Sequence, residues 1–197
     1  GERITAAIER VRTELAPHVA ASDLEIVVVD DGSGDGTAEA AAGADLVLVH
    51  GVNRGKGAAV RTGMLAACGR TRVFTDADLS YAPAQIVRLL HEVEAGWDIV
   101  VGNRYHEDTT TTVPASALRE VGGRLVNGAT RLVLRHPHTD TQCGLKAFRS
   151  DVADLVFSLS RVDGFAFDVE IFMLADRYRL SLLEVPVELE NSARSTV

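Results

Sequence analysis

The stretch Val73-Phe74-Thr75-Asp76-Ala77-Asp78-Leu79-Ser80 ends a short apolar run in two carboxylates spaced i and i+2. With Arg72 to Thr75 as a buried strand, alternation places Asp76 and Asp78 on the same side where the strand emerges. Two hard oxygen ligands there suit Mg²⁺ or Mn²⁺, which binds through one or two carboxylates completed by substrate phosphates. An isolated Asp-x-Asp is more often a pair of solvated turn residues. The weight of the reading therefore comes from what else the chain brings to the same place.

Several other segments could do chemistry. Asp30-Asp31-Gly32-Ser33-Gly34-Asp35-Gly36-Thr37 is a turn rich in residues that tolerate positive φ, with Thr37 as the expected N-cap of a following helix. Its glycines read G-x-G-x-G, which is not the dinucleotide-binding spacing. Gly51-Val52-Asn53-Arg54-Gly55-Lys56-Gly57 also misses the P-loop pattern, because the glycine five positions before Gly55 is absent and Gly57 replaces Ser or Thr. It still brings backbone N–H groups to a helix N-terminus, with Arg54 and Lys56 adding charge for a phosphate. For these glycines, close helix–strand packing is an equal alternative.

The elements that must position these groups follow from periodicity. Ile4, Ile8, Val11 and Leu15 predict a helix over 3–17 that Pro17 stops. Leu24 to Val29, Leu46 to Val49, Arg72 to Thr75, Trp97 to Val101 and Cys143 to Phe148 read as strands. Leu182 to Leu189 reads as a last strand, with Pro186 pointing to an edge. Helices are expected over 58–68, after Pro83, over 116–134, over 152–159 and over 167–178. Strands alternating with helices predict an α/β sandwich, parallel in most of its sheet, whose ligands sit at the carboxyl ends of strands. Asp30-Asp31, Asp76-Asp78 and Arg104 all fall at such ends.

Composition narrows the classes. The 197 residues carry a net charge of −8, with 46% hydrophobic and 24% charged residues. This is ordinary for one globular domain and disfavours nucleic-acid binding through a basic surface. An anionic substrate would need a metal and local basic groups to offset that field. Cys68 and Cys143 match no metal or disulfide framework and read as reduced, buried thiols in a cytosolic setting. The longest apolar runs fall short of the roughly 18 residues a spanning helix needs.

Asp76-Ala77-Asp78-Leu79-Ser80 also resembles the opening motif of haloacid-dehalogenase-type phosphatases, but residues 81–197 contain no Gly-Asp-x-x-x-Asp metal motif. A wider resemblance covers nearly the whole chain. Val27-Val28-Val29-Asp30-Asp31-Gly32-Ser33, Asn53-Arg54-Gly55-Lys56-Gly57, Asp76-Ala77-Asp78, Gly102-Asn103-Arg104-Tyr105 and Asp140-Thr141-Gln142-Cys143-Gly144-Leu145-Lys146 stand in the order seen in family 2 glycosyltransferases. Within that family the chain most resembles the dolichyl- or polyprenyl-phosphate glycosyltransferases. The Asp-Thr-Gln-Cys-Gly segment and Phe167-Asp168-Val169-Glu170 lean to the glucosyl members.

The resemblance implies a GT-A fold, a Rossmann-like α/β/α sandwich around a mostly parallel mixed sheet. It implies a single catalytic domain over 1–197, with a nucleotide-sugar half over about 1–104 and an acceptor half over about 105–197. Asp30 and Asp31 would hold the base and ribose, with Lys56 near them. Asp76 and Asp78 would hold Mg²⁺ or Mn²⁺ at the donor diphosphate, and Arg194 would fold over that diphosphate. Arg104, with Arg119, Arg124 and Gln142, would meet the acceptor phosphate. Asp140, Asp168 and Glu170 would orient arginines or act in the chemistry. The implied reaction is inverting transfer of a hexose from a nucleoside-diphosphate sugar to a polyprenyl phosphate, at the cytoplasmic face of a membrane.

Relatives usually open with a strand and a Pro-x-Tyr/Phe-Asn-Glu turn, whereas this sequence starts at Gly1-Glu2-Arg3-Ile4. A missing first strand is therefore expected. Ser80 stands where mannosyl relatives often have Gln. Three alternatives stay open: a GDP-mannose donor, a non-lipid acceptor that would need Asp140 or Asp168 as a base, and a non-catalytic nucleotide-sugar-binding domain.

Overall fold

A computed structural model describes residues 2–111 and 140–189. Helix α1 spans Glu2–Leu15 and buries Ala7, Ile8 and Leu15, the stripe that the 3.6-residue period selects. Strand β1 (Val27–Asp30), helix α2 (Thr37–Ala40), strand β2 (Leu46–Val49), helix α3 (Lys56–Ala66) and strand β3 (Thr71–Phe74) come next. A short 3₁₀ turn at Pro83–Gln85 leads into α4 (Ile86–Glu94), then β4 (Ile99–Asn103) and β5 (Thr110–Thr111). Beyond residue 139 come β6 (Lys146–Arg149), α5 (Ser150–Leu159), α6 (Phe167–Tyr178), β7 (Leu182–Pro186) and β8 (Glu188–Leu189).

The pairing makes a mixed sheet. β1 and β2 are parallel, and a second group of strands runs in the order β3-β6-β4-β7. β4 and β7 pair in parallel, but β6 lies antiparallel between β3 and β4. β5 and β8 pair in parallel as a small separate sheet. Pro186 does lie on an edge strand, beside Asn103.

Alternation along the central strands sends side chains to two cores. Phe74, Ile99, Val101 and Phe148 face α3, α5 and α6, with Met64, Val156, Phe157 and Ile171 filling that layer. Val100, Ala147 and Val185 face α4, whose Leu89 and Val93 close the other layer with Tyr81, Cys143 and Leu145. This is the α/β/α sandwich that the strand–helix alternation predicts.

Three local readings are corrected. Thr37 is not the N-cap of α2. Gly36 holds that position at φ +76°, and the Asp35 carboxylate accepts the Thr37 backbone N–H at 3.1 Å and its hydroxyl at 2.6 Å. Cys68 is exposed, whereas Cys143 is fully buried. The single strand expected over 182–189 is two strands, because β8 leaves β7 to pair with β5.

The antiparallel course of β6 decides which segments share a rim of the sheet. Its first residue, Lys146, pairs with Phe74 near the end of β3 and with Val101 on β4. The segment 140–145 that feeds it therefore arrives at the same rim as the residues leaving β3 and β4.

Candidate functional site

Asp76 and Asp78 stand just past the end of β3, on a turn closed by a hydrogen bond from Leu79 N to Asp76 O at 3.0 Å. Leu79 adopts a φ of +48° while its side chain is buried, a strained backbone for a γ-branched residue that packing must hold. Asp78 is exposed, and its Oδ1 accepts the Ser80 N–H and hydroxyl at 3.0 and 2.9 Å. Asp76 Oδ1 lies 2.6 Å from Lys56 Nζ, across from the first residue of α3. The other oxygen of Asp76 faces Gly144, where an added Cβ would collide with the carboxylate and force it or the segment before β6 to shift.

The turn before α3 is built from behind. Asp31 takes the N–H groups of Arg54 and Gly55 at 2.9 and 2.7 Å, and His50 Nδ1 lies 2.6 Å from its Oδ1. Burial works against its charge, but His50 and the two N–H groups hold the Asp31 carboxyl below its ordinary value. His50 Nε2 in turn meets the Thr62 hydroxyl at 3.0 Å, tying the turn to α3. Asp30 is buried and caps its own turn through the Ser33 N–H at 2.9 Å. Both aspartates thus shape the loops at the end of β1. Gly57 admits the backbone of Val162 against α3, so close packing accounts for that glycine.

Arg104 follows β4, and its guanidinium grips Asp140 by Nε to Oδ2 at 2.7 Å and Nη2 to Oδ1 at 2.8 Å. Asp140 is fully buried and also accepts the backbone N–H groups of Arg104 and Gln142, at 2.9 and 3.1 Å. Burial alone would raise the Asp140 carboxyl, yet the Arg104 bonds and charge bring it below its ordinary value. Arg104, for its part, has its charge disfavoured by burial, but Asp140 more than offsets this and pushes its pKa up. Its guanidinium also lies 5.8 Å from the centre of the Tyr105 ring, within cation–π reach.

Sequence reading missed a buried ion pair beneath this rim. Lys146 is wholly buried, and its Nζ lies 2.6 Å from both Asp168 Oδ1 and the Cys143 carbonyl, and 5.3 Å from the centre of the Phe74 ring. Burial pushes the Asp168 carboxyl up, against the lowering influence of Lys146 and Lys56, and the charge on Asp76 pushes the same way as burial. Lys56, Asp76, Asp168 and Lys146 therefore form one electrostatic neighbourhood. A lysine inside an apolar strand was the signal that could have found it. Asp168 holds a lysine rather than an arginine, and Glu170 accepts the backbone N–H groups of Arg161 and Val162 at 2.9 Å.

The structure thus brings Lys56, Asp76, Asp78, Arg104 and Gln142 to the rim where β3, β4 and the segment before β6 meet. Arg119, Arg124, Arg194 and the helix expected over 116–134 lie outside the described residues. Among the described residues, no group of three or more His, Cys, Asp or Glu forms a metal cluster. The donor set nonetheless fits a divalent ion completed by substrate oxygens: two hard carboxylates sit at an open rim, and one already holds a cationic ammonium.

A layered α/β sheet with acidic and basic groups gathered at one strand-end rim is the arrangement of GT-A glycosyltransferases. The chain belongs to glycosyl transferase family 2, whose sequence model matches residues 1–157. It is 36% identical over 180 residues to the dolichyl-phosphate beta-glucosyltransferase of Drosophila melanogaster, covering 83% of this chain and 54% of that protein. It is 35% identical over 188 residues to the polyprenol monophosphomannose synthase of Mycolicibacterium smegmatis, covering 86% and 68%. The chain spans about half the length of the dolichyl-phosphate relatives it matches. Among solved structures, glucosyl-3-phosphoglycerate synthase from Mycobacterium tuberculosis, in complex with Mn²⁺, uridine diphosphate and glucosyl-3-phosphoglycerate, has a TM-score of 0.71 at 22% identity. That match covers 97% of this chain and 68% of the other, and it establishes the shared fold.

Proposed function

We propose that the chain is the catalytic domain of an inverting glycosyltransferase that moves a hexose, glucose in preference, from a nucleoside-diphosphate sugar to a polyprenyl or dolichyl phosphate. One observation carries the reading. The Asp76 carboxylate, paired with Lys56, and the Arg104 guanidinium, braced by buried Asp140, share a rim through the segment 140–144. The relatives named for dolichyl- and polyprenyl-linked sugar transfer support the choice of acceptor.

Asp76 and Asp78 would hold a Mg²⁺ or Mn²⁺ ion, which when bound offsets the negative charge that develops on the leaving diphosphate. Base and ribose would lie against the loops that Asp30 and Asp31 shape, with Arg194 closing over the diphosphate. Arg104, Gln142, Arg119 and Arg124 would receive the acceptor phosphate. One of its oxygens attacks the anomeric carbon as the bond to the diphosphate oxygen breaks, and the nucleoside diphosphate leaves. A phosphate monoester is already ionised near neutral pH, so it needs no base; positioning is the remaining task. The two acids that a non-lipid acceptor would require as base, Asp140 and Asp168, are each held in an ion pair. This supports the phosphate acceptor, and with it a domain that works at a membrane surface. Among the described residues no helix is long and apolar enough to cross one.

The test incubates the protein with Mg²⁺ or Mn²⁺, a polyprenyl phosphate, and either UDP-glucose or GDP-mannose, with products read by mass spectrometry. Glucosyl-phosphoryl-polyprenol from UDP-glucose is expected. A mannosyl lipid from GDP-mannose alone would favour the second reading, which the similarity to the M. smegmatis synthase supports. Nucleotide-sugar binding with no glycolipid from either donor would contradict both.

A further inference from the structure

Of the 20 lysine and arginine residues in the chain, only two are lysines, Lys56 and Lys146. Both lie in the site, and each has its ammonium 2.6 Å from an aspartate, Asp76 and Asp168 respectively. Their surroundings differ. Lys146 is completely buried and also bound to the Cys143 carbonyl, so it is fixed. The Lys56 and Asp76 side chains are 26% and 38% exposed, and the pair opens to solvent.

Lys56 is an unfavourable residue for its position. It opens α3, whose first turn contains no acidic residue, and a cation there faces the positive end of the helix dipole. The Asp76 carboxylate supplies the compensating charge from another element. A divalent ion at Asp76 either shares Oδ1 with this ammonium or takes the other oxygen, which Gly144 crowds, and in both cases two cations on one carboxylate repel. Asp168 is another acid within electrostatic reach of Lys56, but Lys146 already holds it. It does not offer a displaced ammonium an equal place.

We infer that Lys56 is a place-holding cation: a divalent ion replaces its ammonium at Asp76, and the freed ammonium turns to the diphosphate of the incoming nucleotide. This rests on the reading of Asp76 and Asp78 as the metal site. Metal and nucleotide then bind cooperatively, and by linkage each raises affinity for the other by the same factor. A lysine suits the exchange because its ammonium is a compact charge on a flexible stem, whereas an arginine fork would hold the carboxylate in two-point contact.

The test measures Mn²⁺ binding by electron paramagnetic resonance of the free ion, for the wild type, Lys56→Met and Lys56→Arg, with and without UDP. Lys56→Met should bind Mn²⁺ alone about threefold or more tightly, the scale of a partly exposed ion pair. It should also lose most of the enhancement that UDP gives the wild type. Lys56→Arg should bind Mn²⁺ alone no more tightly than the wild type. A second measurement needs no variant. Acylation of the wild type with N-hydroxysuccinimidyl acetate, read by mass spectrometry at Lys56, should speed up with Mn²⁺ alone and slow again when UDP is added, with buried Lys146 as the unreactive reference. An unchanged Mn²⁺ affinity in Lys56→Met, or labelling indifferent to Mn²⁺, would overturn the exchange while leaving the metal site standing. Absence of Mn²⁺ binding to all three proteins, with or without UDP, would overturn both.

Discussion

Arg104 and Asp140 meet through two parallel hydrogen bonds, while the same carboxylate takes the backbone N–H groups of Arg104 and Gln142. A buried acid thus fixes the guanidinium, the start of the segment 140–145 and the end of β4 at once. Asp140→Asn keeps the shape but removes the charge and part of the fork. Breaking a buried pair on one side is strongly destabilising, and because Arg104 is partly exposed we expect about 2–3 kcal/mol. Urea unfolding measures this. In turnover, KM for the acceptor should rise more than KM for the donor.

The acid side of the stability curve draws on carboxyls held below their ordinary values, Asp31 and Asp140 in the site and Asp35, Asp45 and Asp151 outside it. Their folded pKa values lie below the unfolded ones, so the unfolded chain takes up protons first as pH falls. Their contribution is complete above about pH 4, the unfolded carboxylate range, and is lost as pH drops through the folded values. Urea midpoints between pH 5 and 2 should show this fall, and Asp140→Asn should flatten it. A midpoint that rises on acidification would contradict the assignment.

Lys146→Met should be more damaging than its conservative size suggests. It leaves Asp168 buried without its cation, a loss of about 3–5 kcal/mol by analogy with other broken buried pairs. Adding Asp168→Leu removes the orphaned charge and should recover a large part of that loss. The double-mutant cycle measures the coupling directly, and strict additivity would refute the pair.

Much of this arrangement was legible in the sequence because it depends on local order. Strand ends marked by Asp30-Asp31, Asp76-Asp78 and Arg104 follow from apolar runs stopping at polar residues. The site was harder to read where it depends on distant parts of the chain. Nothing in the spacing around Lys146 says that β6 will insert antiparallel between β3 and β4, yet that insertion sets Gly144 against Asp76. The turn at 51–57 offers Lys56 to a phosphate and the resemblance sets it near the base and ribose, whereas its pairing with Asp76 joins residues on two elements. Gly36 rather than Thr37 caps α2, and the Asp35 carboxylate instead takes the backbone N–H of Thr37.

Gly144→Ala should act on the site through that contact. The new methyl meets the Asp76 carboxylate, so either the carboxylate turns or the segment before β6 shifts. Overpacking of this kind costs about 1–3 kcal/mol. Mn²⁺ affinity should fall together with turnover, and calorimetric titration with Mn²⁺ checks it. Wild-type affinity in this variant would show that the contact is slack.

The central claim is that Asp76 and Asp78 carry a cation at which the donor diphosphate leaves. The most direct measurement is the initial rate of sugar transfer to polyprenyl phosphate by Asp78→Asn, with saturating Mg²⁺ or Mn²⁺ and each nucleotide sugar. Asp78 is exposed and its neighbours are the N–H and hydroxyl of Ser80, so the unfolding midpoint should hardly move. The predicted rate is lower by about a hundredfold or more, the scale of losing one electrostatic group at a developing charge. A variant that folds normally and transfers sugar at the wild-type rate would contradict the claim.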